Sequence, residues 1–137
     1  MKISLSFAFV TMIAVQAVHA VEEFVFEFWN VFPPMRAVYG GTPGLGECVF
    51  IAFHAMIIGM GVWCYRRWVR GGGKNAMTVV RAGMAVQSIT VLLHAAWFLT
   101  APGYQPGLAT TPLFLPAIAL GWVALRNSES EALSGNA

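Results

Sequence analysis

Apolar residues run along this chain in four blocks: Ile3 to about Phe28, Cys48 to Tyr65, Arg81 to Ala101, and Leu108 to Leu125. Each is close to the ~20 residues that a helix rising ~1.5 Å per residue needs to cross ~30 Å of hydrocarbon. Backbone donors and acceptors find no water at that depth, so closed helices are expected rather than strands. No block alternates strictly between apolar and polar positions, which argues against a membrane β-barrel. The pattern predicts an all-α protein, a four-helix transmembrane bundle.

The segments between the blocks differ in chemistry. Asn30 to Gly46 carries Pro33, Pro34, Gly40, Gly41, Pro43, Gly44 and Gly46, too many breakers for a continuous helix. The next break sets Gly71, Gly72 and Gly73 among Arg66, Arg67, Arg70 and Lys74. Between the third and fourth blocks, Pro102, Gly103, Pro106 and Gly107 allow a tight reversal, and Pro106-Gly107 suits the centre of a type II turn. Residues 1–126 read as one membrane domain. Residues 127–137, with Ser128, Glu129, Ser130 and Glu131, read as a flexible polar tail.

Composition agrees: 58% of the 137 residues are hydrophobic and 10% charged, against about 45–50% and about 25% in a soluble domain. An ordinary water-soluble globule is excluded. The net charge of +2 matters less than where the charge lies. Lys2, the group from Arg66 to Arg81, and Arg126 supply seven of the eight basic residues, and with four spans all seven fall on one side, opposite Arg36. Both termini are therefore expected to be cytoplasmic, with the Pro/Gly-rich segment and the Tyr104 turn outside. Trp29, Trp63 and Trp68 sit at span ends, where amphipathic rings prefer the interface. No basic stripe with interleaved aromatics speaks for nucleic acid. Cys48 and Cys64 are sixteen residues apart on one helix, about 24 Å, whereas a disulfide needs Cα atoms within about 7 Å.

The first block has a rival reading. Lys2, the run from Leu5 to Val18 and the sequence Val18-His19-Ala20 also fit a cleavable signal peptide. Apolar residues resume at Phe24, Val25, Phe26 and Phe28, which favours a retained helix. Cleavage would leave three spans and remove His19.

Ionisable groups inside lipid are costly, so their positions are informative. Gln16, His19 and Glu23 share one face of the first helix, with Glu22 on its flank; Glu47 and His54 share a stripe of the second; Gly83, Gln87, Thr90 and His94 share one of the third. His54 and His94 each lie seven residues inside the outer end of their helix, and His19 about seven to nine. The three imidazoles are thus expected roughly 10–13 Å below the external boundary, where they can meet. Three imidazoles with one or two carboxylates suit a divalent transition metal, zinc or iron. His19, Glu23, His54 and His94 are the candidate ligands. Glu22 can orient an imidazole or act as general base, and Tyr104, in the turn above His94, can reach the group. Interhelical hydrogen bonding of the histidines, and an ion-paired helix end at His19, Glu22 and Glu23, remain open beside this reading.

His19-Ala20-Val21-Glu22-Glu23 reads HAVEE, and Tyr104-Gln105-Pro106-Gly107 reads YQPG. In these motifs and their order the chain resembles the HXXEE-motif proteins, small bacterial membrane proteins with an HxxEE sequence, a further histidine and a YxPG motif. The resemblance implies an uncleaved first helix, placement in the bacterial inner membrane, and His94 as the further histidine, with no counterpart for His54. It implies no activity.

Two classes of function follow. In the first, a membrane-embedded metalloenzyme, His19, His94 and Glu23 bind the cation, Glu22 and Tyr104 are the catalytic candidates, and His54 completes the shell. A lipid-like or small apolar substrate would enter from the outer leaflet. In the second, a proton or cation conduit or a non-catalytic interaction subunit, polar residues should continue through the inner half. Only Thr11, Gln16, Thr78 and a few others do.

Overall fold

The computed structural model describes residues 2–39, 42, 44–101 and 103–134. Among these residues all regular structure is helical: α1 (Leu5–Val25), α2 (Phe28–Val31), α3 (Pro33–Tyr39), α4 (Leu45–Cys64), α5 (Lys74–Thr100) and α6 (Phe114–Ser134). A π-helical turn, Tyr65–Val69, prolongs α4, and a 3-10 turn, Thr111–Leu113, leads into α6. Three helices are long and apolar enough to cross a membrane: α1, α4 with its π turn, and α5.

Local chemistry sets the helix ends. Ser4 caps α1, its hydroxyl accepting from the Phe7 amide at 3.1 Å. The helix stops at Val25 although apolar residues continue, because Glu27 takes a left-handed conformation (φ 51°) and its carboxylate holds the Asn30 amide at 2.9 Å. Phe28 therefore belongs to α2. Pro33 and Pro34 open α3 rather than merely breaking a helix; a first turn tolerates their fixed φ and missing N–H. Gly40, Gly41, Pro43 and Pro102, read above as breakers, lie outside the described residues. Helix α5 starts at Lys74, seven residues before the apolar block, directly after Gly72 and Gly73 at φ 72° and 88°.

Helix α1 packs against α4, α5 and α6. The buried positions of α5, Ala76, Val80, Met84, Gln87, His94 and Trp97, recur on one stripe, and α6 answers with Phe114, Ala117, Gly121, Ala124 and Leu125. Between them and α1 lies a core that includes Phe9, Met12, Val80 and Met84. Gln87 donates to the Met12 carbonyl at 2.9 Å, joining α5 to α1. Large apolar side chains such as Ile51, Met56, Leu92, Leu93 and Leu99 face outward, as they do when lipid is the solvent.

The fourth block departs most from the expected span. Residues 106–110 form turns, helix α6 begins only at Phe114, and it continues to Ser134, through the first eight residues of the segment read as a tail. Polar contacts hold that extension: Lys2 with Glu131 at 2.8 Å, Arg81 with Glu129 at 2.6 Å, and the Asn127 side chain with the Ile3 carbonyl at 3.3 Å. These charges keep α6 out of the set of long apolar helices. They also place the start of α1 and the end of α6 at one end of the molecule.

Gly121 tests the packing. A Cβ there would stand 2.5 Å from Met12 Cε and 2.7 Å from Met84 Sδ, whereas a Cβ at Gly59 would meet nothing within 4 Å. Gly121→Leu is expected to cost about 1–3 kcal/mol by overpacking, and Gly59→Leu to stay within about 0.5 kcal/mol of the parent. Thermal unfolding in detergent reads both, and equal losses would contradict this packing.

Candidate metal centre

Four residues apart on α1, His19 and Glu23 stand one turn above the other on a common face. Glu23 is the hub. Its Oε1 lies 3.4 Å from His19 Nε2 and 3.3 Å from Nε2 of His94 on α5; its Oε2 lies 3.3 Å from Nε2 of His54 on α4. His19, Glu23 and His94 are 1%, 5% and 5% exposed, and one candidate ligand atom from each falls within 4.8 Å of the others. The rings of His19 and His94 meet edge to face, 4.8 Å between centroids. His54 is half-buried and sits alone on the second carboxylate oxygen.

Hydrogen bonds on the far side of two rings fix which nitrogen carries the proton. His19 Nδ1 is 2.9 Å from Thr110 Oγ1, and the single hydrogen of that hydroxyl goes to Glu22 Oε2 at 2.5 Å, so His19 Nδ1 donates. His54 Nδ1 is 3.1 Å from the Phe50 carbonyl, which only accepts, so it donates as well. A neutral imidazole held in this way turns the lone pair of Nε2 toward Glu23. Two such lone pairs facing a carboxylate repel it unless protons or a cation lie between. Buried His19 Nε2 and His94 Nδ1 have no hydrogen-bond partner in the protein. Imidazole nitrogen with carboxylate oxygen is a donor set suited to zinc or iron, so the residues present fit such an ion.

The segment from Tyr104 to Thr110 closes over the cluster. The Leu108 amide donates to the Gln105 carbonyl at 3.0 Å and Gly107 has φ 87°, the type II turn expected from Pro106-Gly107. A Cβ at Gly107 would stand 2.6 Å from His19 Cε1, 2.7 Å from His94 Cε1 and 3.1 Å from Glu23 Cγ. The missing side chain is what lets the loop reach the rings. Glu22 anchors that loop, accepting from Tyr104 Oη at 2.6 Å, Ala109 N at 3.0 Å, Thr110 N at 2.8 Å and Thr110 Oγ1. Its oxygens are thus engaged by the loop, and it reaches His19 through Thr110. Tyr104 meets Glu22 rather than an imidazole, and burial together with that hydrogen bond pushes its hydroxyl up to about 12.

Aromatic rings enclose the rest. Phe50 lies 4.1 Å from the His54 ring and Phe114 4.9 Å from that of His19, while Trp97 packs near His94 and beneath Phe28 and Phe32. Of the other polar residues sharing the histidine stripes, Thr90 bonds back to its own helix at the Val86 carbonyl, and Glu47 is exposed. Sequence reasoning missed Thr110, the Phe50 carbonyl and the close approach of Gly107. Only the YQPG turn signalled a loop above the site.

Two outcomes are expected. Gly107→Ala pays for a left-handed backbone, about 1–2 kcal/mol, and for collision with two imidazoles; Gly103→Ala, at φ 133° with open space around it, pays only a backbone cost. Thermal unfolding should show Gly107→Ala less stable than Gly103→Ala by about 1 kcal/mol or more, and equal values would contradict the contact. Because the folded-state value of Tyr104 is raised, its bridge to Glu22 is fully present below the ordinary tyrosine range near about 10 and is lost as pH rises through about 12. Absorbance titration should show a late phenolate step that Tyr104→Phe abolishes.

The sequence model of a family described as a protein of unknown function with HXXEE motif matches residues 10–120, an interval holding all three histidines, Glu22, Glu23 and the Tyr104 loop. No curated protein and no solved structure matches the chain. With most of its length covered and His19, Glu22 and Glu23 standing as the motif, the chain belongs to the HXXEE family.

Proposed function

We propose that the protein is a membrane-embedded metal-dependent enzyme in which His19, Glu23 and His94 hold one divalent transition ion, zinc or iron, and His54 completes or supports the shell. The observation that carries this reading is the orientation of the rings. His19 and His54 commit Nδ1 elsewhere and turn Nε2 on the same buried carboxylate, which also faces His94. Hydrogen-bonded support of this kind is what fixes ring direction and raises the basicity of a ligating imidazole.

A bound ion would supply Lewis acidity and lower the pKa of a coordinated water. The chain's own residues do the rest. Thr110 and the Phe50 carbonyl set the tautomers, and Glu22 ties the loop down as a positioning residue. The aromatic wall and the Gln105–Gly107 turn keep bulk water out. A lipid-like or small apolar substrate, and a hydrolytic or oxidative reaction, suit a pocket with such walls. We place the protein in the bacterial inner membrane with α6 as a fourth crossing element, its termini cytoplasmic and the cluster toward the periplasm; the basic residues at the end opposite the histidines support this. A conduit would need polar groups continuing away from the cluster, but the core beyond it is Met12, Phe9, Met84 and Val80, with Gln87 bonded to backbone.

Metal content of the purified chain tests the proposal. Wild type is expected to carry about one ion per chain, Glu23→Gln and His94→Ala almost none, and Thr110→Val to bind about 10–100-fold more weakly. Acidification should release the ion, since protons compete for the imidazole lone pairs. A wild-type chain that takes up no zinc or iron, or variants that bind as it does, would overturn the assignment.

A further inference from the structure

At the end of the molecule opposite the histidines, a cavity of about 550 Å³ opens between the start of α1, the turn entering α5 and the end of α6. Its polar lining includes Lys2, Arg70, Lys74, Asn127, Ser128 and Glu131. Three cations thus face one carboxylate, and Glu131 is already taken by Lys2 at 2.8 Å. Among the described residues, Arg70 and Lys74 form no ion pair. Cationic groups gathered on one concave surface without acidic partners repel each other, and an anion seated between them relieves that repulsion.

The wall between the two free cations is bare backbone. Gly71, Gly72 and Gly73 line the cavity, and a Cβ at any of them would meet nothing within 4 Å. Crowding by the protein therefore does not explain the run, and at Gly71 neither does a positive φ. What the run provides is peptide groups that a ligand can approach closely. Ser4 caps α1, but no side chain caps α5 behind Gly73, which adds donors on the same wall. The Gly72 amide is taken by the Val69 carbonyl at 3.1 Å, so the donors on offer are a guanidinium, an ammonium and the uncapped start of α5, which together match a group with several charged acceptor oxygens. Leu5 beside the cavity is fourteen residues from His19 on α1, about 21 Å, so this site is separate from the metal centre.

We propose that this cavity binds a phosphate group, supplied by the headgroup of an anionic phospholipid or by free phosphate. The test uses the full chain in zwitterionic detergent, with retention of phosphatidylglycerol against phosphatidylcholine measured by native mass spectrometry and inorganic phosphate binding measured by calorimetry. Arg70→Gln/Lys74→Gln should weaken binding about tenfold or more, while Arg66→Gln/Arg67→Gln, altering basic residues outside the cavity, should leave it within about twofold. Binding of phosphatidylglycerol alone identifies the lipid headgroup as the source, and inorganic phosphate binding with the same dependence on Arg70 and Lys74 identifies the free ion. Should the double variant fail to fold, Gly71→Asp sets a carboxylate in open space on the same wall and should abolish binding. Equal losses in the two arginine-containing pairs would reduce the effect to general attraction by a basic end and overturn the site. So would binding of neither probe, or binding that Gly71→Asp leaves unchanged.

Discussion

A carboxylate buried in an apolar protein must have its charge met, and Glu23 faces three imidazoles from three helices, which meet that charge only through protons or a cation held between them. The arrangement around it follows from that requirement. Helix α1 must place His19 one turn from Glu23, and α4 and α5 must bring His54 and His94 to the same depth. The packing below the cluster, by Phe9, Met12, Met84 and the small surface at Gly121, sets α1 and α5 close enough to do so, and Gly61 against Ile13 does the same for α4.

Adjacent glutamates divide the work because successive helical residues point about 100° apart. Glu23 turns inward to the histidines, while Glu22 turns to the loop and fixes it with four hydrogen bonds. The two sequence motifs thereby become one device. HAVEE supplies the cluster and the anchor; YQPG supplies the cover, which fits only because Gly107 has no side chain. Thr110 joins the two, since the hydroxyl that bonds Glu22 also sets the tautomer of His19.

Much of this was legible in the sequence. Helical spacing placed His19 with Glu23, and counting residues from the span ends placed His54 and His94 beside them, because depth in a helix is linear in residue number. Pro106-Gly107 announced its turn. Other features were illegible for physical reasons. Hydropathy reports the surroundings of side chains, not backbone conformation, so it missed the helix break at Glu27 and the early start of α5 at Lys74. It also ran the last block through residues 108–113, which are turns and a 3-10 segment, and read as a tail a stretch that ion pairs to Lys2 and Arg81 hold as helix. Thr110 and the Phe50 carbonyl owe their roles to contacts between distant segments, which no local spacing encodes.

The central claim is that the converging Nε2 atoms are metal ligands. X-ray absorption at the zinc or iron edge of the loaded protein tests it most directly. The account predicts a light-atom shell at about 2.0–2.2 Å with the outer-shell scattering of at least two imidazoles. Sulfur at about 2.3 Å, which would point to Cys48 or Cys64, or an oxygen shell without imidazole scattering, would contradict it.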